Sequence, residues 1–235
     1  MSKHKVLVAG AAVLAVALVF LAAVWGKNTS YNPKSEEPSG RTTAAPTRPV
    51  ESATRPGTTT QAERSVDMQY EWEEEVLDLA EECLELLKTR DWGALGALVH
   101  REQGLTFSPY GYVEDGAVCL GAGDVKALDY IEDVYTWGVF DGSGEPIEMT
   151  FAQYYDRFVF SHDFTRAPQA AVNRVVKTTL LNNLYVFGNG CEYVDFHIPG
   201  SEEYAGMDWA SLRLVFGGYE GELYLVAVVH DEWTA

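Results

Sequence analysis

Two apolar runs near the C-terminus, Trp209–Phe216 and Leu223–His230, set the strongest limit on what this chain can fold into. Both are β-branched or aromatic, and Gly217-Gly218-Tyr219-Glu220-Gly221 lies between them, the pattern of two long strands joined in a hairpin. In the second run both alternating sets are apolar: Leu223, Leu225, Ala227 and Val229 on one side, Tyr224, Val226 and Val228 on the other. A strand apolar on both faces is covered on both faces. One cover is expected to be a helix, the other the rest of a curved sheet closing over a cavity.

The preceding chain supplies the helices. Residues 68–90 carry Trp72, Val76, Leu79, Cys83 and Leu86 or Leu87 at helical spacing, with acids early and Lys88 and Arg90 late, as the helix dipole favours. Asp91 is placed to cap a second helix over 92–99. Residues 105–113 predict an edge strand, because Pro109 has no N–H to give a central ladder. A helix is expected over 124–134, a turn-rich loop over 137–146, and a further helix capped by Thr150. Strands are expected at 171–178, 184–187 and 192–198. Helices first and strands last indicate an α+β domain.

The N-terminus reads differently. Val6–Trp25 is an uncharged run of 20 residues, and a helix of that length covers about 30 Å, the thickness of a bilayer's hydrocarbon core. Lys3 and Lys5 precede it, and the bulky Trp25 stands where signal cleavage wants a small residue. The expectation is a cytoplasmic tail (1–5), an uncleaved transmembrane anchor (6–25), a disordered Thr/Pro/Ser-rich linker (26–67) and an extracytoplasmic domain (68–235).

Charge narrows the partners. Residues 1–67 hold 8 Lys+Arg and 5 Asp+Glu; the remainder holds 9 and 30, a net −21 within the total of −18. So acidic a domain repels nucleic acid and anionic lipid within about 8 Å, the Debye length. Membrane contact is therefore assigned to the N-terminal helix alone, and nucleic acid is excluded as a partner. Cys83, Cys119 and Cys191 are widely spaced with no metal-binding pattern, leaving open one disulfide or three reduced thiols.

Candidate sites are few. Asp141, Ser143 and Glu145 offer oxygens at alternate positions, as a calcium loop does, against the simpler reading of a turn with exposed acids. A hairpin symmetric about Tyr219 would set Asp208 opposite His230, where a carboxylate orients an imidazole for general-base chemistry. The competing reading is a structural hydrogen bond. Tyr154, Phe158, Trp209 and Tyr224 are candidates for a ligand box, against the commoner role of core aromatics. His100 and His197 are isolated, and alternation places His197 on a wet face of its strand. No GxSxG, HExxH, P-loop or GxGxxG occurs, and no cofactor is implied.

Phe107-Ser-Pro-Tyr110, Trp137-Gly138, Asp141-Gly-Ser-Gly-Glu-Pro-Ile147, Phe158-Val159, Met207–Phe216 and His230–Thr234 resemble an uncharacterised family of bacterial extracytoplasmic proteins. The resemblance spans most of residues 75–235. Some members are lipoproteins, whereas this chain lacks a lipid-bearing cysteine after its apolar run. The helix-then-sheet order is similar to the nuclear transport factor two-like (SnoaL-like) cone, helices packed on a curved antiparallel sheet, and a likeness of fold carries no chemistry. The functional expectation is a membrane-tethered, non-catalytic module binding an envelope ligand or protein. The alternatives are a small pocket enzyme using Asp208 and His230, or a calcium-dependent envelope protein.

Overall fold

The C-terminal hairpin forms, but about a different turn. The computed structural model describes residues 61–179 and 181–234. In it β7 (Ala210–Tyr219) and β8 (Glu222–Glu232) meet at a two-residue turn, Glu220-Gly221, with both residues at positive φ (53° and 92°). This suits the right-handed twist of long antiparallel strands, and Gly221 adopts it without a Cβ penalty. Register then shifts between Val215 and Phe216: Val215 faces Ala227 while Phe216 faces Leu225, so Val226 is an extra residue on β8. The bulge turns Val226 and Ala227 toward one side and leaves Leu225 and Val228 on the other.

The hairpin is the middle of a six-stranded sheet ordered β2-β1-β8-β7-β6-β5, with β1 at Leu105–Ser108, β2 at Cys119–Leu120, β5 at Gln169–Val172 and β6 at Glu192–Ile198. The expected all-antiparallel curved cone is corrected here: the sheet is mixed, because β1 runs parallel to β8 while its other edge pairs antiparallel with β2. Nor is β1 an edge strand. It stops at Ser108, so Pro109 falls just beyond the ladder instead of within it.

One face of the sheet is covered by helix α1 (Gln61–Thr89), whose buried side is Val76, Ala80, Cys83, Leu84 and Leu87. Each such Leu or Val contributes about 1.5–3 kcal/mol on leaving water. Trp72, expected in that stripe, is 40% exposed. The helix also starts before residue 68, so the expected linker does not reach 67. The run 6–25 and residues 26–60 lie outside the described residues. Among those described, no helix is long and apolar enough to cross a membrane; α1, at 29 residues, is long enough but strongly acidic. Helix α2 (Trp92–Leu98) begins as expected, with Asp91 Oδ1 accepting from Ala94 N at 3.0 Å.

The expected helix over 124–134 is a single turn, α3 (Ala122–Val125), followed by a 3₁₀ turn at Leu128–Tyr130. The expected loop over 137–146 is a separate two-stranded ribbon, β3 (Val134–Val139) with β4 (Pro146–Thr150). Thr150 does cap α4 (Phe151–Tyr154), which widens into a π turn over Tyr155–Val159. Residues 184–187, read as a strand, form a 3₁₀ turn. That turn is part of the second cover. Leu184 and Phe187, together with Val113 and Ala117, pack on Val215, Val226, Ala227 and Val229 across the sheet from α1. The double cover thus exists, with loop chain in place of more sheet.

Candidate functional site

The segment after β1 is held at four points. Ser108 Oγ donates to the Tyr110 carbonyl at 2.8 Å. His230 Nδ1 lies 3.1 Å from the Pro109 carbonyl, which only accepts, so the imidazole donates there. Asn183 pairs with Val113 in both directions, accepting from its N at 2.8 Å and donating to its O at 2.9 Å, as a neighbouring strand would. Gly111 rests against the sheet so closely that a Cβ would stand 2.4 Å from Asp231 Oδ2 and 2.9 Å from Arg213 Nη1.

Beneath Gly111 lies a buried ion triad. Arg213 is fully buried on β7, its Nη2 2.8 Å from Asp231 Oδ2 and its Nε 3.2 Å from Asp195 Oδ2. The three come from adjacent strands with side chains on the same face of the sheet. Arg213 Nη2 also donates to the Lys177 carbonyl at 2.6 Å, and Asp195 Oδ2 accepts from Val176 N at 2.8 Å. Burial lifts the Asp231 carboxyl above its usual range, outweighing the opposing pull of Arg213. The triad ties the 173–179 strand-exit segment to the sheet and supports the loop at Gly111.

Facing that loop is β3. Ser108, Tyr110, Tyr112 and Ala117 on one side, and Trp137 and Val139 on the other, enclose a cleft of about 310 Å³. Beneath it lies a buried aromatic layer. The Trp137 ring stacks on Tyr154 with centroids 4.0 Å apart, and its Nε1 donates to the Met149 carbonyl at 2.9 Å. Tyr110 meets Phe158 edge-on at 5.9 Å. Burial pushes the Tyr110 hydroxyl's pKa up. The rim carries Glu114, Asp141 and the exposed Leu181, with Tyr112 46% exposed. A shallower groove continues past Glu114 along Thr136–Val139.

The residues singled out in the sequence fall elsewhere or play other parts. Asp208 and His230 are not brought together: the shifted turn and the bulge set Leu212 opposite His230, and Asp208 precedes the strand. Asp208 is exposed and accepts from Ser201 N (2.6 Å) and Oγ (2.8 Å), bonds that hold its carboxyl below the usual range. His230 is fully buried, and burial lowers its pKa to about 4, so it is neutral. Its Nε2 is 3.4 Å from Ser161 Oγ, but so weak a base gives little proton transfer near neutral pH.

Of the proposed ligand box, Tyr154 and Phe158 form the layer beneath the cleft floor. Trp209 is buried beside His197, with Lys177 Nζ 4.9 Å from its ring centre. Tyr224 packs on His100 and Tyr219 at the hairpin's far end. None of the four lines the cleft. His197 is buried, bonded to Ser211 Oγ at 2.9 Å, so its face of the sheet is not wet.

Two of the proposed metal ligands, Asp141 and Ser143, already have their side-chain oxygens engaged at the β3–β4 turn. Asp141 Oδ1 accepts from Gly142 N, Ser143 Oγ accepts from Glu145 N, and Thr234 Oγ1 donates to Asp141 Oδ2. Among the described residues no cluster of three His, Cys, Asp or Glu is disposed to hold a metal. All three cysteines are free thiols, and burial raises that of Cys83 far above its ordinary value.

Sequence reasoning missed the triad and the cleft. The triad left a trace, since Arg213 is the lone charge between Leu212 and Leu214 in an apolar strand, a position tolerated only with a partner. Nothing local marks Tyr110 and Tyr112 as cleft residues, because the opposite wall is more than twenty positions away in sequence. In comparison with known proteins, no family model matches the chain and no curated protein aligns with it.

Proposed function

We propose that this domain is a non-catalytic binding module that takes a small, largely apolar ligand in the cleft between the Ser108–Ala117 loop and β3. The observation that carries the reading is a pocket of about 310 Å³, the lower end of ligand-site sizes, whose walls are already fixed by backbone and buried side-chain bonds. A wall pinned by His230, Asn183 and the Arg213 triad loses little freedom when a ligand enters, which lowers the cost of binding.

The domain's placement outside the cytoplasmic membrane belongs to the same proposal and is supported by the apolar run Val6–Trp25 behind two lysines. The acidic surface fits a soluble domain that does not lie on anionic lipid.

A fragment set screened by protein-observed NMR tests the binding. The expected result is that responding fragments shift the amides of Tyr112, Ala117 and Val139. Fragments that shift only amides elsewhere, or no response from any fragment, would overturn the reading. Protease treatment of spheroplasts expressing the full chain tests the placement: the domain is expected to be cleaved while cytoplasmic markers survive, and protection of the domain would refute it.

A further inference from the structure

Resting on that reading, we propose that the cleft selects organic cations, small molecules carrying an ammonium group on an apolar body. The lining is aromatic and anionic at once. Tyr112, 46% exposed, supplies most of the π surface beside the largely buried Tyr110, Glu114 and Asp141 supply two carboxylates, and no Lys, Arg or His is among the lining residues. The face of an aromatic ring attracts a cation by its quadrupole, and a weakly hydrated alkylammonium loses less solvation on entering such a site than a compact charge does.

The two carboxylates differ in what they already do. Asp141 accepts bonds from Gly142 N and Thr234 Oγ1, so it is held in place at the rim. Glu114 is exposed, and although its backbone carbonyl accepts from Ala117 N at 3.1 Å, its carboxylate makes no hydrogen bond or ion pair among the described residues, so its charge is uncompensated. Arg157, whose charge reaches Tyr110, is paired with Glu232 at 3.0 Å, and the Glu232 carboxylate acts on Tyr110 in the opposite sense. Charge complementarity therefore favours a cation over a neutral molecule of the same shape, and disfavours an anion. The enclosed volume of about 310 Å³ suits a small molecule.

The test pairs choline with 3,3-dimethylbutan-1-ol, its uncharged isostere, with benzyltrimethylammonium as a probe of the apolar body, all titrated by NMR on the wild-type chain and on Glu114→Gln and Tyr112→Ala. The expected result is about tenfold tighter binding of choline than of the alcohol. That preference should shrink severalfold in Glu114→Gln and at high salt, and benzyltrimethylammonium should bind more tightly than choline. Both variants alter exposed side chains, so folding is retained and is checked by the unchanged amide spectrum away from the cleft.

Equal binding of cation and alcohol at Tyr112 and Val139 would overturn the cation preference while leaving the binding module standing. A preference unchanged in Glu114→Gln would also overturn the assignment. No shift of cleft amides by any of the three, when neutral fragments do shift them, would again sink the cation alone. Silence from every compound would sink both.

Discussion

Arg213 shows how one side chain organises the ground under the cleft. Its guanidinium is fully buried between two carboxylates, and the loop carrying Tyr110 and Tyr112 sits on the group at Gly111. Arg213→Met should leave Asp195 and Asp231 as uncompensated buried charges and cost about 3–5 kcal/mol, read as a lower urea midpoint. His230 supplies a pH dependence. Its folded pKa of about 4 lies below the ordinary value near 6.5, so the unfolded chain takes the proton first as pH falls. Stability is full above about 6.5 and declines toward pH 4, by up to about 3 kcal/mol for this group. Asp231, raised by burial, works in the opposite sense, losing stability as pH rises through the carboxylate range. The imidazole is therefore isolated by difference: the slope of unfolding free energy between pH 6.5 and 4 should be shallower in His230→Gln than in wild type, and identical slopes would contradict the assignment.

At the scale of elements, the second cover of the sheet is made of chain that has no ladder of its own. The Leu184–Phe187 turn and the Val113 loop are joined by Asn183, a side chain substituting for a β partner. Asn183→Ala removes both bonds and leaves the Val113 N–H and carbonyl buried without them, at a cost of about 1–3 kcal/mol. Hydrogen exchange should accelerate at Val113 and its neighbours while β7 and β8 stay protected; unchanged protection at Val113 would show that packing alone holds the loop. The elements misread from sequence share this cause. Residues 184–187 are apolar enough for a strand, yet no free sheet edge reaches them, and they curl into a 3₁₀ turn over Val215. Pro109 did mark a strand's limit, but the limit was an end, because β8 and β2 both claim β1.

For the whole molecule, the governing quantity is charge. Residues 68–235 carry a net −21, which repels itself in the compact state. Raising sodium chloride from about 10 mM to 500 mM shortens the screening length from roughly 30 Å to below 8 Å and should raise the melting temperature by several degrees. A flat or falling Tm would mean that attractive pairs such as Arg157–Glu232 outweigh the repulsion. The amphipathic spacing of α1, the two strands of the hairpin, and the caps at Asp91 and Thr150 were legible in the chain because each depends on residues within a few positions of one another. Composition likewise dictated that β8 be covered on both sides. Which segments do the covering, where the hairpin turns, and hence that Asp208 and His230 part while Arg213 gathers two acids, were decided only in three dimensions. A single extra residue at Val226 re-registers a strand, and no local preference encodes the distant walls that make a cleft.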